Sequence, residues 1–351
     1  MTAMTAVVAH GARDLRVSEV PIPVVGDEDV LVRVAFGGIC GSDLHYYQHG
    51  RNGIYRLIEP LTLGHEIVGT VAEVGASART DVPVGAPVAI HPARPTPPPG
   101  SRVARGLHLT VGGSYLGSAS TTPHMQGGFA EYVRVSADQL RPLPDGLPLR
   151  RAALSEPLAV ALHGVDRARG EIPGARVLVS GAGPIGCLTV AALVVRGAKE
   201  IVVTDLEQAP LQVARAVGAA TTVRIGHDPM PADESFDVVI EASGSPRATA
   251  SALSAVRRGG TIVQLGMLPD GDLGIPLAAL VSREITLRGS QRFELELDEA
   301  IAILADTPAL DAVVTHVFPL AAAQEAFDVA ADGATSTKVL LEVAPGGADG
   351  T

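Results

Sequence analysis

Cys40, His65 and Glu66 offer a thiolate, an imidazole and a carboxylate, three of the ligand types that zinc accepts. Cys40 stands in Gly38-Ile39-Cys40-Gly41-Ser42-Asp43-Leu44-His45-Tyr46-Tyr47, and the other two in Gly64-His65-Glu66. Glu156, in Ser155-Glu156-Pro157-Leu158-Ala159-Val160, brings a fourth oxygen donor. A catalytic zinc has three protein ligands and an open or water-filled position, so this inventory suffices for a Lewis-acid centre. Each residue also has an ordinary reading. A lone Cys is a small buried hydrophobe, and a lone His or Glu is a surface or supporting group.

A second chemistry lies in Gly181-Ala182-Gly183-Pro184-Ile185-Gly186, which matches G-x-G-x-x-G. It directly follows the apolar run Arg176-Val177-Leu178-Val179-Ser180 and opens a helical stretch, the context that gives the motif meaning. Gly181 permits a tight turn, Gly183 lets backbone approach a pyrophosphate, and Gly186 allows close helix–strand packing. The helix that opens at Pro184, which itself has no N–H, then presents the free N–H groups of its first turn, that of Ile185 among them, to the anion. Asp205 ends the next strand, where an acid bonds the adenosine ribose; its plain alternative is a helix N-cap. No Arg follows until Arg215, so a 2′-phosphate would face Asp205 and Glu207 without a guanidinium, and NAD is expected over NADP. Leu265 and Gly266, at the end of a later strand, are assigned to the same cofactor.

These residues need two kinds of scaffold. Residues 1–150 read as β-rich: Val30–Phe36, Ile67–Val74 and Gly127–Val135 are short runs closed by glycines, with no long helical period. A barrel-like fold with loop-borne ligands is expected there. The proline-dense His91–Gly100 reads as an extended surface excursion. From about residue 151 strands and helices alternate five times or more, which predicts a parallel, doubly wound sheet. A helix near 297–305, another near 321–330 and a last strand Lys338–Glu342 are expected to return to the first domain.

Composition narrows the class. The 351 residues favour two domains, and 3 % aromatics with no Trp suit parallel strands under helices. A formal net charge of −11 gives no footprint for nucleic acid or an anionic membrane, so neither is expected as a partner. Two cysteines, Cys40 and Cys187, make no disulfide framework, and Met1–His10 lacks the basic start of a secretory signal. The expectation is a soluble cytoplasmic protein.

Together, the strings around Cys40, His65, Glu156 and Gly181 resemble the zinc-dependent medium-chain dehydrogenases, nearest to the sorbitol dehydrogenase-like polyol branch. Leu116-Gly117-Ser118 and Arg288-Gly289-Ser290-Gln291-Arg292-Phe293 are most similar to its L-idonate 5-dehydrogenase group. The resemblance covers nearly the whole chain. It implies a GroES-like β-barrel-type catalytic domain (1–150 and 293–351) and a Rossmann NAD-binding domain (151–292). It makes Cys40, His65 and Glu66 zinc ligands, with Glu156 binding directly or through water. Glu156 or a zinc-held water takes part in the first proton movement, Ser42 and His45 become a proton relay that passes the proton outward, and Asp43 is the acid that orients the zinc histidine. Tyr46 and Arg292 fall at the substrate pocket, where an arginine fork suits an aldonate carboxylate; a structural ion pair is the other reading of Arg292. The implied reaction is reversible oxidation of a secondary alcohol of a sugar acid or polyol, with L-idonate to 5-keto-D-gluconate first and sorbitol or xylitol next. A homo-oligomer, dimer or tetramer, is expected.

One departure stands out. Where relatives carry four cysteines for a structural zinc, this chain has Thr96, Pro99, Arg102 and Thr110, so one catalytic zinc and no structural zinc is expected. Ala209 and Pro210 stand where relatives often place an adenosine-side Arg. Two competing readings remain. A zinc-free quinone or enone reductase on the same frame would need no Cys-His-Glu set, and a non-enzymatic cofactor-binding protein would need no relay.

Overall fold

The computed structural model describes residues 3–94, 96, 106–110 and 112–344. Pro99 and Arg102 of the expected loop, and the tail from Gly346, lie outside them.

The first half is antiparallel. The strand Asp29–Gly38 is the spine of a seven-stranded sheet, flanked by Glu66–Val74 on one side and Lys338–Glu342 on the other. Its residues alternate toward a core of Val, Ile, Leu and Phe129, each fully buried apolar side chain contributing roughly 1.5–3 kcal/mol. The antiparallel register sets Gly38 opposite both Glu66 and Leu340, so three chain segments converge at one end of the sheet. Gly38 leaves room there for the Glu66 carboxylate, which a Cβ at that position would displace. The expected β-barrel-type domain is present, with one addition. Gly41–His49 is a helix that periodicity did not announce. Asp43 Oδ2 accepts the Cys40 N–H at its start, and Gly50 at φ 63° ends it.

The second half is parallel. Six strands stand in the order Thr221–Arg224, Glu200–Asp205, Arg176–Ser180, Phe236–Glu241, Val256–Gln264 and Thr286–Gly289. In chain order this is 3-2-1-4-5-6, the doubly wound Rossmann arrangement, whose order reverses beside the first strand. Apolar runs fill the central strands Arg176–Ser180, Glu200–Asp205 and Phe236–Glu241, which are buried on both faces, while the edge strands Thr221–Arg224 and Thr286–Gly289 are more polar and more exposed. The helix Ser155–Asp166, with Pro157 in its first turn where no N–H is missed, lies between the two halves. Its buried face joins a core that includes Val68 and Ala89 from the antiparallel sheet and Leu188 from the helix Pro184–Val195. That position carries Glu156 to the sheet end where Cys40 and Glu66 meet. No helix among the described residues is long and apolar enough to cross a membrane.

Candidate active site

At the converging sheet end, ligand atoms of Cys40, His65 and Glu66 lie within 4.8 Å of one another, the only such grouping of three among the described residues. Cys40 follows the end of Asp29–Gly38, and Glu66 opens the next strand, so the backbone ladder fixes their separation. Asp43 sits behind them, fully buried. Its oxygens accept the backbone N–H groups of Cys40 (2.9 Å) and Gly64 (3.2 Å), and Oδ1 faces His65 Nδ1 at 3.8 Å. One carboxylate thus holds both ligand-bearing turns. Burial works against a charged His65, but Asp43 and Cys40 outweigh it and lift the imidazole to about 10.

Glu156 arrives from its helix 4 % exposed, and burial pushes its carboxyl above the usual range, with Glu66 adding to the rise. Its Oε1 accepts the Tyr115 hydroxyl at 2.7 Å. Lys338 Nζ reaches both oxygens of Glu66. Cys40, His65 and Glu66 present one S, one N and one O donor to the same point, the set that fits zinc, and a bound cation would take the place of the proton that Asp43 and Cys40 favour on His65.

Ser42 and His45 share one face of the helix Gly41–His49, three residues apart; His45 is exposed, with Nδ1 3.2 Å from Asn52 Oδ1. Tyr46, expected at the substrate pocket, is instead 1 % exposed in the antiparallel core, its hydroxyl accepting the Ala119 N–H at 3.0 Å. A cavity of about 350 Å³ lies on the far side of Tyr115 from Glu156 and His65; Arg292, Gln291, His91, His108 and Phe293 line it with Tyr115, and Cys40, His65, Glu66 and Glu156 do not. Arg292 lies with its guanidinium carbon 3.9 Å from the Tyr115 ring centroid, and it makes no ion pair among the described residues.

The glycine loop has the form its sequence implied. Gly181 adopts φ 100°, and a Cβ on Gly186 would sit 1.9 Å from the Gly181 carbonyl oxygen. A Cβ on Gly183 would meet nothing within 4 Å, so that glycine leaves room rather than filling it, as close approach of a pyrophosphate requires. Pro184 and Ile185 open the helix. Asp205 accepts the N–H groups of Ala182 (2.6 Å) and Glu207 (2.9 Å), while the N-cap of the following helix is Glu207. Leu265 packs against Gly164, and Gly266 is pressed against Gly244. The expectation that no guanidinium stands near Asp205 needs correcting. Arg224, the register partner of Asp205 on the next strand, donates to the Leu206 carbonyl and lies 3.9 Å from Glu207.

Tyr115, Lys338 and Arg224 escaped the sequence reading. Lys338 carried a signal: it is one of two lysines, with Lys199, among 27 cationic residues, and it opens an apolar strand. Tyr115 and Arg224 carried none short of their long-range contacts.

A thiolate–imidazole–carboxylate centre beside a Rossmann sheet defines an oxidoreductase that pairs a metal with a dinucleotide. Residues 26–145 match the alcohol dehydrogenase GroES-like domain and residues 184–306 the zinc-binding dehydrogenase family. The chain is 36 % identical over 344 residues to L-idonate 5-dehydrogenase (NAD(P)(+)) of Escherichia coli K12, covering 95 % of this chain and 97 % of that one. It is 37 % identical over 355 residues to the sorbitol dehydrogenase of Gallus gallus, covering 97 % and 96 %. The crystal structure of L-idonate 5-dehydrogenase from E. coli superposes with a TM-score of 0.90 at 34 % identity, over 97 % of this chain and 98 % of that one. The chain belongs to the zinc-binding alcohol dehydrogenase family, in its GroES-like plus Rossmann form. Within that family it is similar to the L-idonate and sorbitol dehydrogenases.

Proposed function

We propose that this enzyme reversibly oxidises a secondary alcohol of a linear sugar acid or polyol with NAD, L-idonate to 5-keto-D-gluconate being the favoured pair and sorbitol or xylitol the alternative. The observation that carries the reading is the metal-ligand group set one side chain, Tyr115, away from a cavity bearing Arg292, whose guanidinium lies over the Tyr115 ring and makes no ion pair among the described residues. A planar guanidinium fork matches a carboxylate in two parallel hydrogen bonds.

Cys40, His65 and Glu66 would hold zinc, with Glu156 bound directly or through water. The ion supplies Lewis acidity that lowers the pKa of a substrate hydroxyl. Asp43 keeps the Cys40 and His65 turns in place. Ser42 and the exposed His45 pass the hydroxyl proton toward solvent. Gly183, Pro184 and Ile185 bind the pyrophosphate, Asp205 the adenosine ribose, and Leu265 and Gly266 line the same cleft. NAD is preferred because Asp205 and Glu207 set two carboxylates where a 2′-phosphate would come, and Arg224 offsets part of that charge. We assign one zinc per chain, with Thr96 and Thr110 standing in place of thiolates. The domain limits 1–150 with 293–351, and 151–292, the cytoplasmic location and a dimeric or tetrameric state belong to the same reading.

The test is a metal count with a kinetic screen of aldonates and polyols using NAD and NADP. Expected are about one zinc per chain and turnover of L-idonate that Cys40→Ala abolishes together with the metal. Activity surviving metal removal would favour the zinc-free reductase, and tight NAD binding with no turnover the non-enzymatic reading.

A further inference from the structure

Tyr115 separates the metal-side cluster from the cavity and touches both. On one side its hydroxyl donates to Glu156 Oε1 at 2.7 Å, and its ring lies 5.6 Å, centroid to centroid, from that of His65. On the other side its face carries the Arg292 guanidinium at 3.9 Å. The ring is well anchored. Ser114–Tyr115 pairs antiparallel with Ala93–Arg94, and Tyr115 is 7 % exposed.

Arg292 is not held by a carboxylate among the described residues, and its backbone sits at φ 50°, a conformation unfavourable for a residue with a Cβ. A cation over an aromatic face is held in place while the edge of the guanidinium keeps its N–H donors available. A phenylalanine would fill the same volume and offer the same face. It would not offer the proton that Glu156 accepts. Ring and hydroxyl therefore have separable jobs, which substitution can test one at a time.

We propose that Tyr115 is a specificity-determining residue: its ring holds the Arg292 fork over the cavity for the terminal carboxylate of an open-chain sugar acid, and its hydroxyl fixes Glu156, so that one side chain sets the distance between carboxylate clamp and metal-side acid. This rests on the reading given under Proposed function. A neutral polyol has no carboxylate for the fork and depends on the hydroxyl half alone.

The experiment compares wild type, Tyr115→Phe, Tyr115→Leu and Arg292→Leu. KM and kcat are measured on L-idonate and on sorbitol, and the visible spectrum is recorded after replacing zinc by cobalt(II), a reporter of ligand arrangement independent of turnover. Tyr115→Met, long and flexible but without a π face, replaces Tyr115→Leu should the latter not fold. The expected result is a rise of about five- to tenfold in KM for L-idonate in Tyr115→Leu, the size of a cation–π contact, with a smaller change for sorbitol. Tyr115→Phe should return that KM close to wild type while lowering kcat on both substrates and shifting the cobalt bands. Equal KM rises for both substrates in Tyr115→Leu, or a Phe variant as impaired as Leu on L-idonate, overturn the ring's role. An unchanged cobalt spectrum and kcat in Tyr115→Phe overturn the hydroxyl's role. Failure of the functional reading looks different: wild type itself then turns over no aldonate, which removes the ring's role and leaves the cobalt spectrum of Tyr115→Phe to decide the contact with Glu156.

Discussion

Lys338 Nζ lies 2.8 and 2.7 Å from the two carboxylate oxygens of Glu66 and 3.0 Å from the Ile39 carbonyl, with both side chains buried. Removing one partner of such a pair strands the other charge in the interior, which costs about 3–5 kcal/mol. Lys338→Met should therefore destabilise metal-free protein by that order. Zinc binding should recover part of the loss, because the ion gives Glu66 another positive neighbour. Denaturant unfolding of chelator-treated and zinc-loaded protein measures both. Identical losses in the two forms would mean that Lys338 does not share Glu66 with the metal.

Asp43 bridges the Cys40 and Gly64 amides behind the ligands. An asparagine there must turn an NH2 group toward one donor. Asp43→Asn is expected to weaken zinc binding about 10–100-fold, the range seen when outer partners of metal ligands are altered. Competition with a chromogenic chelator gives the affinity directly, and wild-type affinity in the variant would refute the role.

The acid limb of stability should owe part of its slope to Glu296. Burial favours its neutral form. The contacts with His163 Nδ1 (2.6 Å) and the backbone N–H groups of Glu294 and Leu295 prevail, and hold the carboxyl at about 2 against 4.5. A folded-state pKa below the unfolded one contributes stability in full above pH 4.5, and the contribution disappears as pH falls toward 2. Glu296→Gln should cost about 1.5–3 kcal/mol near neutrality, as for a charged hydrogen bond, and flatten the curve below pH 4.5. Urea midpoints of both proteins from pH 3 to 7 test this; parallel curves would contradict it.

Asp205 is expected to set the cofactor ratio. Asp205→Ala removes the proposed ribose partner and an anchor of the glycine loop, so both cofactors should bind more weakly. NADH should lose about tenfold, one charged hydrogen bond's worth, and NADPH less, since Arg224 is then the nearest charge opposite a 2′-phosphate. Fluorescence titration with each reduced cofactor reads the ratio. An unchanged ratio would remove Asp205 from discrimination.

Legibility in the sequence followed the physics of each element. Arg176–Ser180 and Lys338–Glu342 are predicted to the residue, because a strand buried on both faces is an apolar run with sharp ends. The glycine motif was equally plain, since each glycine has its own steric reason. The helix Gly41–His49 was not. Its Ser, Asp, His, Tyr and Gln side chains form no apolar stripe, and its ends, the Asp43 cap and Gly50, define it instead. Cys40, His65 and Glu66 declared themselves by type. Tyr115 looked like one more aromatic until Glu156 and Arg292, 41 and 177 positions away, met it from opposite sides. The burial of Tyr46 had the same cause in reverse, a partner at Ala119 that no local pattern encodes.

The pairing of Lys338–Glu342 with Asp29–Gly38 gives synthesis a direction. A ribosome-tethered chain that has not yet reached residue 338 already owns its thiol, imidazole and acids, but not the ammonium that balances them. Closure of the first sheet by Lys338–Glu342 thus delivers the charge that balances the Glu66 carboxylate, and a chain cut short of residue 338 would leave that acid buried without its ammonium.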